Sequence, residues 1–355
     1  MNPDNAPLTT DVFQIDPQSP DAHLLARAGA VLRAGGLVAF PTETVYGLGA
    51  NALDESAVAR IFATKGRPPR NPLIVHVAEV EDVARVADAW PEVAARLAER
   101  FWPGPLTLVL PKHSDLPSVV TAGGATVAVR LPSHPLARAL IRAAGVPIAA
   151  PSANLSTRIS ATRAEHVLRW LDGRIELVLD GGPASGGLES TVLDVTCSPP
   201  RLLRPGLVSP GAIEATIGGI AGPTSANGER PGRGNETAPL RSPGLLARHY
   251  APSVPLTCAA GDGREQARAL VCAGFRAGWL SWGGEAGEEL SGLTVVRMPG
   301  DPAAYAAQFY AALHALEAAG VERIIVSLPP RDEAWLAVHD RLSRAAIDDN
   351  DPLQG

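Results

Sequence analysis

The most informative stretch of this chain is FPTETVYGL, which occupies residues 40–48. It follows a short apolar run at residues 37–40, which predicts a strand, and it enters a turn that carries threonine hydroxyls and the Glu43 carboxylate. Loops at strand ends commonly build ligand sites, so the stretch suits recognition of a small polar ligand. Turn chemistry, in which these side chains satisfy backbone groups, is the alternative, and the residues alone favour neither.

The glycines of GLGANA, at residues 47–52, match a dinucleotide-binding fingerprint only loosely. The acidic residue expected about 20 positions later is missing. Six residues, 41–46, also separate these glycines from the preceding strand. We therefore interpret the segment as a packed turn.

Apolar runs and helical periodicity alternate on both sides of this stretch. Asp21 is a suitable N-cap for a helix that Gly35 and Gly36 end. Further strands are predicted at residues 73–77, 106–110, 126–130, 148–150, 177–179, 191–195 and 202–204, and further helices at residues 56–65, 93–100, 135–144 and 164–171. This order predicts an α/β domain built on a twisted mixed sheet with flanking helices.

Composition divides the chain into four parts. Residues 1–20 are predicted to be a loose N-terminal arm and residues 21–206 the α/β domain. Residues 207–253 are rich in proline, glycine, serine and asparagine, which predicts a linker. Residues 254–355 predict a smaller Rossmann-like α/β domain, with strands near 278–281, 293–296 and 323–327 and helices near 265–272, 302–319 and 333–346.

Composition and charge also narrow the class of protein. Hydrophobic residues make up 46% of the 355 residues, which allows a sizeable core. The three cysteines are too few and too scattered for a disulfide framework. With neither a leader peptide nor a run of about 18 apolar residues, we expect a soluble cytoplasmic protein. The net charge of −6 argues against generic nucleic-acid binding, which depends on neutralising phosphates.

Basic residues concentrate between positions 60 and 70, as Arg60, Lys65, Arg67 and Arg70. Glycine and prolines stiffen the loop KGRPPRNP at residues 65–72, and such a loop can hold a triphosphate through its arginines. The alternative is the favourable placement of cations at a helix C-terminus. A histidine inside the following strand, His76, is more often a satisfied core residue than a ligand contact.

Three later segments carry further polar groups that suit a ligand. Arg130 ends an apolar strand, where burial requires an anionic partner unless the side chain reaches solvent at the sheet edge. The segment PSANLS, residues 151–156, offers either ligand contacts or a helix N-cap. The glycines of residues 181–187 form either a nest for an anion or a hairpin. These segments contain cations, hydroxyls and glycines, but no activated nucleophile and no residues at metal-ligand spacing. This combination fits phosphate-group chemistry, in which positioning and charge stabilisation supply most of the catalysis.

Taken in order, these segments resemble the YrdC-like family, in the two-domain form of the threonylcarbamoyl-AMP synthases. The resemblance covers residues 20–206 through the strings FPTETVYGLGANA, KGRPPRNPLIVH, FWPGPLTLVL, VAVRLP, PSANLS and ESTVLD. The family's Lys-x-Arg and Ser-x-Asn signatures stand here as KGR at residues 65–67 and SAN at residues 152–154. The segment 242–252 looks like the linker loop that marks the longer form of the family.

The resemblance implies a reaction in which L-threonine, bicarbonate and ATP give L-threonylcarbamoyladenylate, diphosphate and water. It further implies that other proteins transfer the product to tRNA next to the anticodon, that any direct contact of this chain with tRNA is weak, and that Mg²⁺ is bound mainly through the ATP phosphates, without protein side chains. By motif position, the threonine side comprises Thr44, His76, Arg130, Ala150 and Ser190. The nucleotide side comprises Lys65 and Arg67, as the catalytic residues, with Asn71, Thr126, Ser152, Asn154, Ser160, Arg204 and, closing over the nucleotide from the linker, Tyr250.

Two other functions stay open at this point. A double-stranded-RNA or tRNA-binding module without nucleotide turnover would use a cationic face, and the net negative charge argues against it. A carbamoyl-transfer domain of the hydrogenase-maturation type would share the fold. That function calls for acylphosphatase and zinc-finger segments, which this sequence lacks.

Overall fold

The computed structural model describes residues 8–222, 249–259, 261–283 and 290–346. These residues form two units. One contains residues 8–156, 160–185 and 189–222, and the other contains residues 157–159, 186–188 and the described residues from 249 onward. Part of the predicted linker, residues 223–248, lies outside the described residues, as does most of the 242–252 segment. Within the described ranges, the helices are too short or too polar to cross a membrane.

The described part of the first unit is built on a ten-stranded mixed sheet. Its strands are β1 (Asp11–Gln14), β2 (Val38–Phe40), β3 (Gly47–Asn51), β4 (Ile74–His76), β5 (Leu106–Pro111), β6 (Thr126–Arg130), β7 (Ile148–Ala149), β8 (Leu177–Asp180), β9 (Thr191–Asp194) and β10 (Arg201–Arg204). Its helices are α1 (Ala22–Arg33), α2 (Glu55–Lys65), α3 (Glu92–Phe101), α4 (Pro135–Ala144), α5 (Ala164–Leu171) and α6 (Pro210–Ile217). The strand order across the sheet is β1-β8-β2-β3-β7-β4-β6-β5-β9-β10.

Strand alternation divides the side chains of the central strands between two faces of the sheet. Val75 of β4, with Val127 and Val129 of β6, points into the main hydrophobic core. Ile74 of β4 and Ala128 of β6 point the other way, into a small separate cluster with Val109, Val192 and Leu203. The parallel pairing of β4 with β6 aligns Ile74 with Ala128 and His76 with Arg130. His76 and Arg130 therefore share the face of the sheet that carries the small cluster.

Helices α1 and α4 pack against the face of the sheet that lies opposite the main hydrophobic core. Their buried residues, including Leu25, Ala28 and Leu140, pack with Val38 of β2 and Ile148 of β7 in one hydrophobic cluster. The sequence places these residues at helical spacing, and Asp21 caps α1 by accepting from the His23 and Leu24 N–H groups. Helices α1 and α4 therefore pack against the part of this face that β2, β7 and β8 form.

The predicted fold class is confirmed, but residues 47–52 are not a packed turn. Residues 47–51 form β3, which is antiparallel to β2 and to β7. A Cβ atom on Gly49 would stand 2.8 Å from both the Phe40 ring and the Ile148 side chain. The glycine is thus needed because neighbouring side chains lie over the strand, which is one of the known uses of glycine inside strands.

Two further expectations are wrong in the same unit. Part of the predicted loose arm forms β1, which pairs in parallel with β8 at the edge of the sheet. Part of the predicted linker forms α6, whose Ile213 is fully buried in the main core. Pro210 lies in the first turn of α6, and the Ser209 side chain caps it by accepting from the Ala212 N–H.

The second unit contains a four-stranded parallel sheet in its described part, as the sequence predicts. Its strands are β11 (Leu256–Ala259), β12 (Ala277–Trp282), β13 (Leu293–Met298) and β14 (Arg323–Ser327), in the order β11-β14-β12-β13. Its helices are α7 (Arg264–Cys272), α8 (Pro302–Ala318) and α9 (Leu336–Ala345). Strand β11 was missing from the predicted strands. The predicted helix at 333–346 divides into a 3₁₀ turn, Glu333–Trp335, and α9.

Candidate active site

The centre of the candidate site is the Arg130 side chain at the end of β6. Arg130 is 3% exposed, and its Nη2 lies 2.7 Å from Glu43 Oε1. Its Nη1 donates to Thr44 Oγ1 at 2.9 Å, and its Nε donates to the Gly104 carbonyl. The side chain therefore does not reach solvent at a sheet edge, and the anionic partner that its burial requires is Glu43.

The Glu43 carboxylate remains charged beside this arginine. Burial alone would raise the pKa of Glu43, but the Arg130 guanidinium outweighs burial and holds the pKa below its ordinary value of 4.5. Thr44 completes the group, since its hydroxyl also lies 2.8 Å from the Thr42 hydroxyl. Residues 40–48 thus supply both side-chain partners of Arg130.

His76 lies beside this ion pair as a neutral ring. Its side chain is buried, and its edge meets the Phe40 ring at a centroid distance of 6.3 Å. Burial, together with the Arg130 charge, lowers the pKa of His76 to about 3. Its Nδ1 makes no hydrogen bond of good geometry to the residues that the structure describes, whereas the backbone groups of Ile148 and Ile74 lie close enough to raise its pKa. His76 is thus a buried histidine with one ring nitrogen open to a ligand.

The two signature motifs of the sequence meet through Lys65, the last residue of α2. The Lys65 ammonium donates to the Ser152 carbonyl at 2.6 Å and also to the Asn154 carbonyl. Ser152 Oγ donates to Asn154 Oδ1 at 2.5 Å. Burial, together with the nearby Arg67 charge, lowers the pKa of Lys65 well below its ordinary value. Lys65 thus ties the end of α2 to the loop that follows β7.

Arg67 and Asn71 shape the rigid loop that leads into β4. Arg67 is buried, its Nε donates to the Asn71 carbonyl at 2.9 Å, and its Nη2 donates to the Pro72 carbonyl at 2.7 Å. The Asn71 side chain is fully buried, and neither of its amide atoms has a hydrogen-bond partner among the described residues. A buried amide of this kind is available to a ligand.

The basic residues at positions 60–70 do not form a single cluster. Arg60 pairs with Glu176 at 2.6 Å and donates to the Gly35 carbonyl, at the opposite end of α1 from Asp21. Residues 60 and 65 are five positions apart on α2, which turns their side chains about 140° from one another. Arg60 is therefore excluded from the group that contains Lys65 and Arg67.

The remaining predicted site residues of the first unit lie at the ends of strands, except Ser160, which lies in the loop before α5. Arg204 donates through Nη2 to Ser190 Oγ at 3.1 Å, and the Ser190 hydroxyl lies 2.8 Å from that of Thr107. Ser160 Oγ donates to Glu189 Oε1 at 2.5 Å. Thr126 begins β6, and Ala150 donates through its N–H to the Ile74 carbonyl. Glu43, Thr107 and Glu189 were not among the predicted site residues.

Tyr250 belongs to the second unit. Its side chain is 1% exposed, and its ring lies 5.9 Å from that of Tyr310 and 5.0 Å from the Arg341 guanidinium carbon. Its backbone is in the left-handed region, with φ of 62°. Tyr250 thus sits in an aromatic and cationic environment of its own unit.

Comparison with known proteins covers both units. A family model for Sua5, YciO and YrdC proteins, described as telomere recombination, matches residues 30–206. A model described as the C-terminal domain of threonylcarbamoyl-AMP synthase matches residues 208–347. The chain is 44% identical over 347 residues to the threonylcarbamoyl-AMP synthase of Bacillus subtilis, with 96% of each chain covered. It is 51% identical over 244 residues to that of Pyrococcus abyssi, which covers 69% of this chain and 70% of the relative.

A solved structure agrees with these sequence relatives. The crystal structure of P. abyssi Sua5 complexed with L-threonine superposes with a TM-score of 0.87 at 41% identity. The match covers 95% of this chain and 98% of that one.

Proposed function

The chain belongs to the family of threonylcarbamoyl-AMP synthases, and on that premise we propose that it joins L-threonine, bicarbonate and ATP into L-threonylcarbamoyladenylate, releasing diphosphate and water. The product would supply the threonylcarbamoyl group that other proteins attach to tRNA next to the anticodon. The chain is in this view an enzyme of the nucleotidyltransferase type. The RNA-binding alternative has no observation in its favour beyond the general presence of arginines.

The observation that carries the proposal is the buried Arg130 at one end of a face of the sheet whose other end also holds cations. Thr126 begins β6 and Arg130 ends it, so the four-residue rise of the strand separates them by roughly 13 Å. Arg67 and Asn71 precede β4, on the side of Thr126, since β4 and β6 run in parallel. This spacing suits an amino-acid adduct at one end and nucleotide phosphates at the other.

We assign the substrate sides accordingly. The threonine side consists of Thr44, His76, Arg130, Ala150 and Ser190, and Arg130 pairs with the amino-acid carboxylate. The nucleotide side consists of Lys65, Arg67, Asn71, Thr126, Ser152, Asn154, Ser160, Arg204 and Tyr250. Lys65 and Arg67 are the proposed catalytic residues, and Lys65 also fixes the 152–154 loop, because its ammonium donates to two carbonyls of that loop.

The proposed chemistry brings two anions together. The threonine amine and bicarbonate give a carbamate and water, and a carbamate oxygen then attacks the α-phosphorus of ATP while diphosphate leaves. Charge neutralisation and positioning supply the catalysis in such a reaction, with no covalent bond to the protein. Buried arginines on both sides of the site, Arg67 and Arg130, are the groups suited to that task.

We further propose that Mg²⁺ enters with the phosphates of ATP. The described residues contain no group of three or more histidine, cysteine or acidic side chains that could hold a metal ion. Cations and hydroxyls instead surround the nucleotide side, which suits a phosphate-borne ion with most of its ligands from phosphate and water. The ion would neutralise phosphate charge there.

The test is diphosphate release from ATP with threonine and bicarbonate supplied singly and together. Release that requires both supports the proposal, and release that ignores threonine overturns it. Arg67→Ala should weaken ATP use, whereas Arg60→Ala is the matched control, since Arg60 pairs with Glu176 instead. Salt-sensitive RNA binding without diphosphate release would favour the RNA-binding alternative.

A further inference from the structure

An α-amino acid presents a carboxylate and an ammonium on the same carbon atom, so a site that holds it needs groups of both charges close together. The threonine side assigned above contains one charged cation, Arg130, for the carboxylate. Its other members are a threonine, a serine, an alanine and a histidine whose pKa of about 3 keeps the ring neutral. None of these provides a negative charge for the ammonium.

Glu43 has the position and the unmet hydrogen-bonding capacity for this task. Its Oε1 lies 2.7 Å from Arg130 Nη2, and its side chain is 12% exposed. Both of its carboxylate oxygens are buried, and neither meets a donor at good hydrogen-bond geometry among the described residues, although the Arg130 guanidinium and the N–H groups of Glu43 and Ser133 lie close enough to lower its pKa. A buried carboxylate accepts several hydrogen bonds, so Glu43 can accept a further one from a ligand.

From this geometry we propose that Glu43 binds the α-ammonium group of L-threonine while Arg130 binds the α-carboxylate. The proposal rests on the proposed function, since it specifies how the same site holds its amino acid. The ion pair between Glu43 and Arg130 then places an anionic and a cationic receptor side by side, with the spacing that the two charged groups of one amino acid require.

The ionisation of the surrounding groups supports a binding role for Glu43. Burial opposes its charge, but Arg130 keeps the pKa of Glu43 below its ordinary value, so the carboxylate is charged and can pair with the ammonium of incoming threonine. The ammonium then passes its proton to bicarbonate, which gives water and carbon dioxide, and the free amine adds to the carbon dioxide to form the carbamate with loss of a proton to solvent. The other bases that face Glu43 are His76 and His134, and burial lowers the pKa of each. Both rings therefore stay neutral more readily than an exposed histidine, so neither offers Glu43 a positive charge in place of the threonine ammonium.

The carboxylate of Glu189 contacts the nucleotide side of the site instead of the threonine side. Glu189 accepts from the Ser160 hydroxyl at 2.5 Å, and Ser160 belongs to the nucleotide side. Glu43 is thus the acidic side chain that accompanies the threonine side in the described part of the chain.

The test compares two ligands that differ in the amine. L-Threonine carries it, and (R)-3-hydroxybutanoate keeps the carboxylate and hydroxyl without it. Calorimetric titration of the full-length protein should show L-threonine binding on the order of 10- to 100-fold more tightly than the analogue, since a hydrogen bond to a charged group has about that effect. Glu43→Gln should remove most of this ratio by weakening L-threonine alone.

A control and a second variant complete the experiment. Glu79→Gln, at an exposed pair with Arg142, should leave both affinities unchanged. Glu43→Asp keeps the charge but withdraws it by one methylene, so it should lower the ratio less than Glu43→Gln, and it also serves if the glutamine variant does not fold.

Two outcomes separate the proposals. If Glu43→Gln weakens both ligands equally, Glu43 only positions Arg130 and the ammonium assignment is overturned. If the wild-type protein binds no L-threonine, the proposed function itself fails.

Discussion

His76 is a buried neutral histidine at the end of β4, and its burial links the stability of the first unit to pH. The unfolded chain takes up a proton near the ordinary pKa of 6.5, whereas burial and the Arg130 charge delay protonation of folded His76 to about pH 3. Between these values the unfolded state binds more protons than the folded state. The free energy of unfolding therefore falls as the pH falls, and this one group contributes at most about 1.4 kcal/mol per pH unit.

Replacing His76 should remove this contribution. We expect the unfolding free energy of His76→Gln to fall less steeply than that of the wild type between about pH 7 and about pH 4. Urea unfolding at several pH values measures both slopes. His23→Gln, at an exposed residue of α1, is the control for the loss of a histidine outside the site. Parallel curves for His76→Gln would contradict the buried, neutral state of His76.

The residue-level content of the site could be predicted only in part. The sequence indicates that a buried Arg130 needs an anion, but it does not identify the anion, because Glu43 belongs to a loop far away along the chain. The same limit applied to Arg60, which is close to Lys65 in sequence and points to another side of α2. Local order along a chain does not fix which side chains meet when the contacts are made by tertiary packing.

At the scale of single elements, the C-terminus of α2 is the junction between the helix and the rigid basic loop at residues 65–72. Gly66 ends the helix in the left-handed conformation, with φ of 60°, and an added Cβ would meet nothing within 4 Å. Gly145 ends α4 in the same way, with φ of 67° and the same open space. The two positions differ in their neighbours, since Gly66 lies between Lys65 and Arg67.

This pair allows backbone strain to be separated from function. Gly66→Ala and Gly145→Ala should each cost about 1–2 kcal/mol of stability, because alanine is strained at these φ values. Diphosphate release should fall in Gly66→Ala alone, since the strain there displaces Lys65 and Arg67. Denaturant unfolding and the diphosphate assay test the two halves of this expectation. Equal activity in both variants would show that the cap does not position the loop.

Helix α6 was missed because the amino-acid composition of residues 207–253 predicts a linker. Its Ile213 is fully buried in the main core, whereas Ile217 is only partly buried against it. Ile213→Ala should therefore cost about 2–5 kcal/mol, and Ile217→Ala should cost less. Urea unfolding compares them, and two small and equal effects would restore the original interpretation of this segment as linker.

The elements that sequence patterns missed share a physical cause. Strand β3 is rich in glycine because Phe40 and Ile148 lie over Gly49, and those neighbours are invisible in the sequence. Strand β1 is short, and its pairing partner β8 lies more than 160 residues away. The sequence around β1 therefore contains no pattern that predicts the strand. By contrast, α4, α5, β6 and β14 end where predicted, because caps, glycines and apolar periodicity are local properties.

At the scale of the whole molecule, both sheet classes were predictable, a mixed sheet in one unit and a parallel sheet in the other. The alternation of strands with helices is enough to predict parallel pairing in the second unit, since parallel strands need crossover connections. The division of the chain was less predictable. Residues 157–159 and 186–188 belong to the second unit although the sequence places them inside the first domain.

Tyr250 is the predicted site residue that belongs to the second unit, so its function can be tested apart from the first unit. Tyr250→Ala removes a buried ring that packs near Tyr310 and Arg341, and this should cost the second unit about 3–5 kcal/mol. Tyr250→Phe keeps the ring and should retain most of that stability. Calorimetric unfolding measures both effects.

The predicted role of Tyr250, closing over the nucleotide, gives a separate expectation for turnover. Tyr250→Ala should lower diphosphate release, while L-threonine affinity, which depends on Arg130 and its neighbours in the first unit, should stay unchanged. A rate equal to that of the wild type would reject the role. A parallel loss of threonine binding would instead show that the substitution had disturbed the first unit, because none of the assigned threonine-side residues belongs to the second unit.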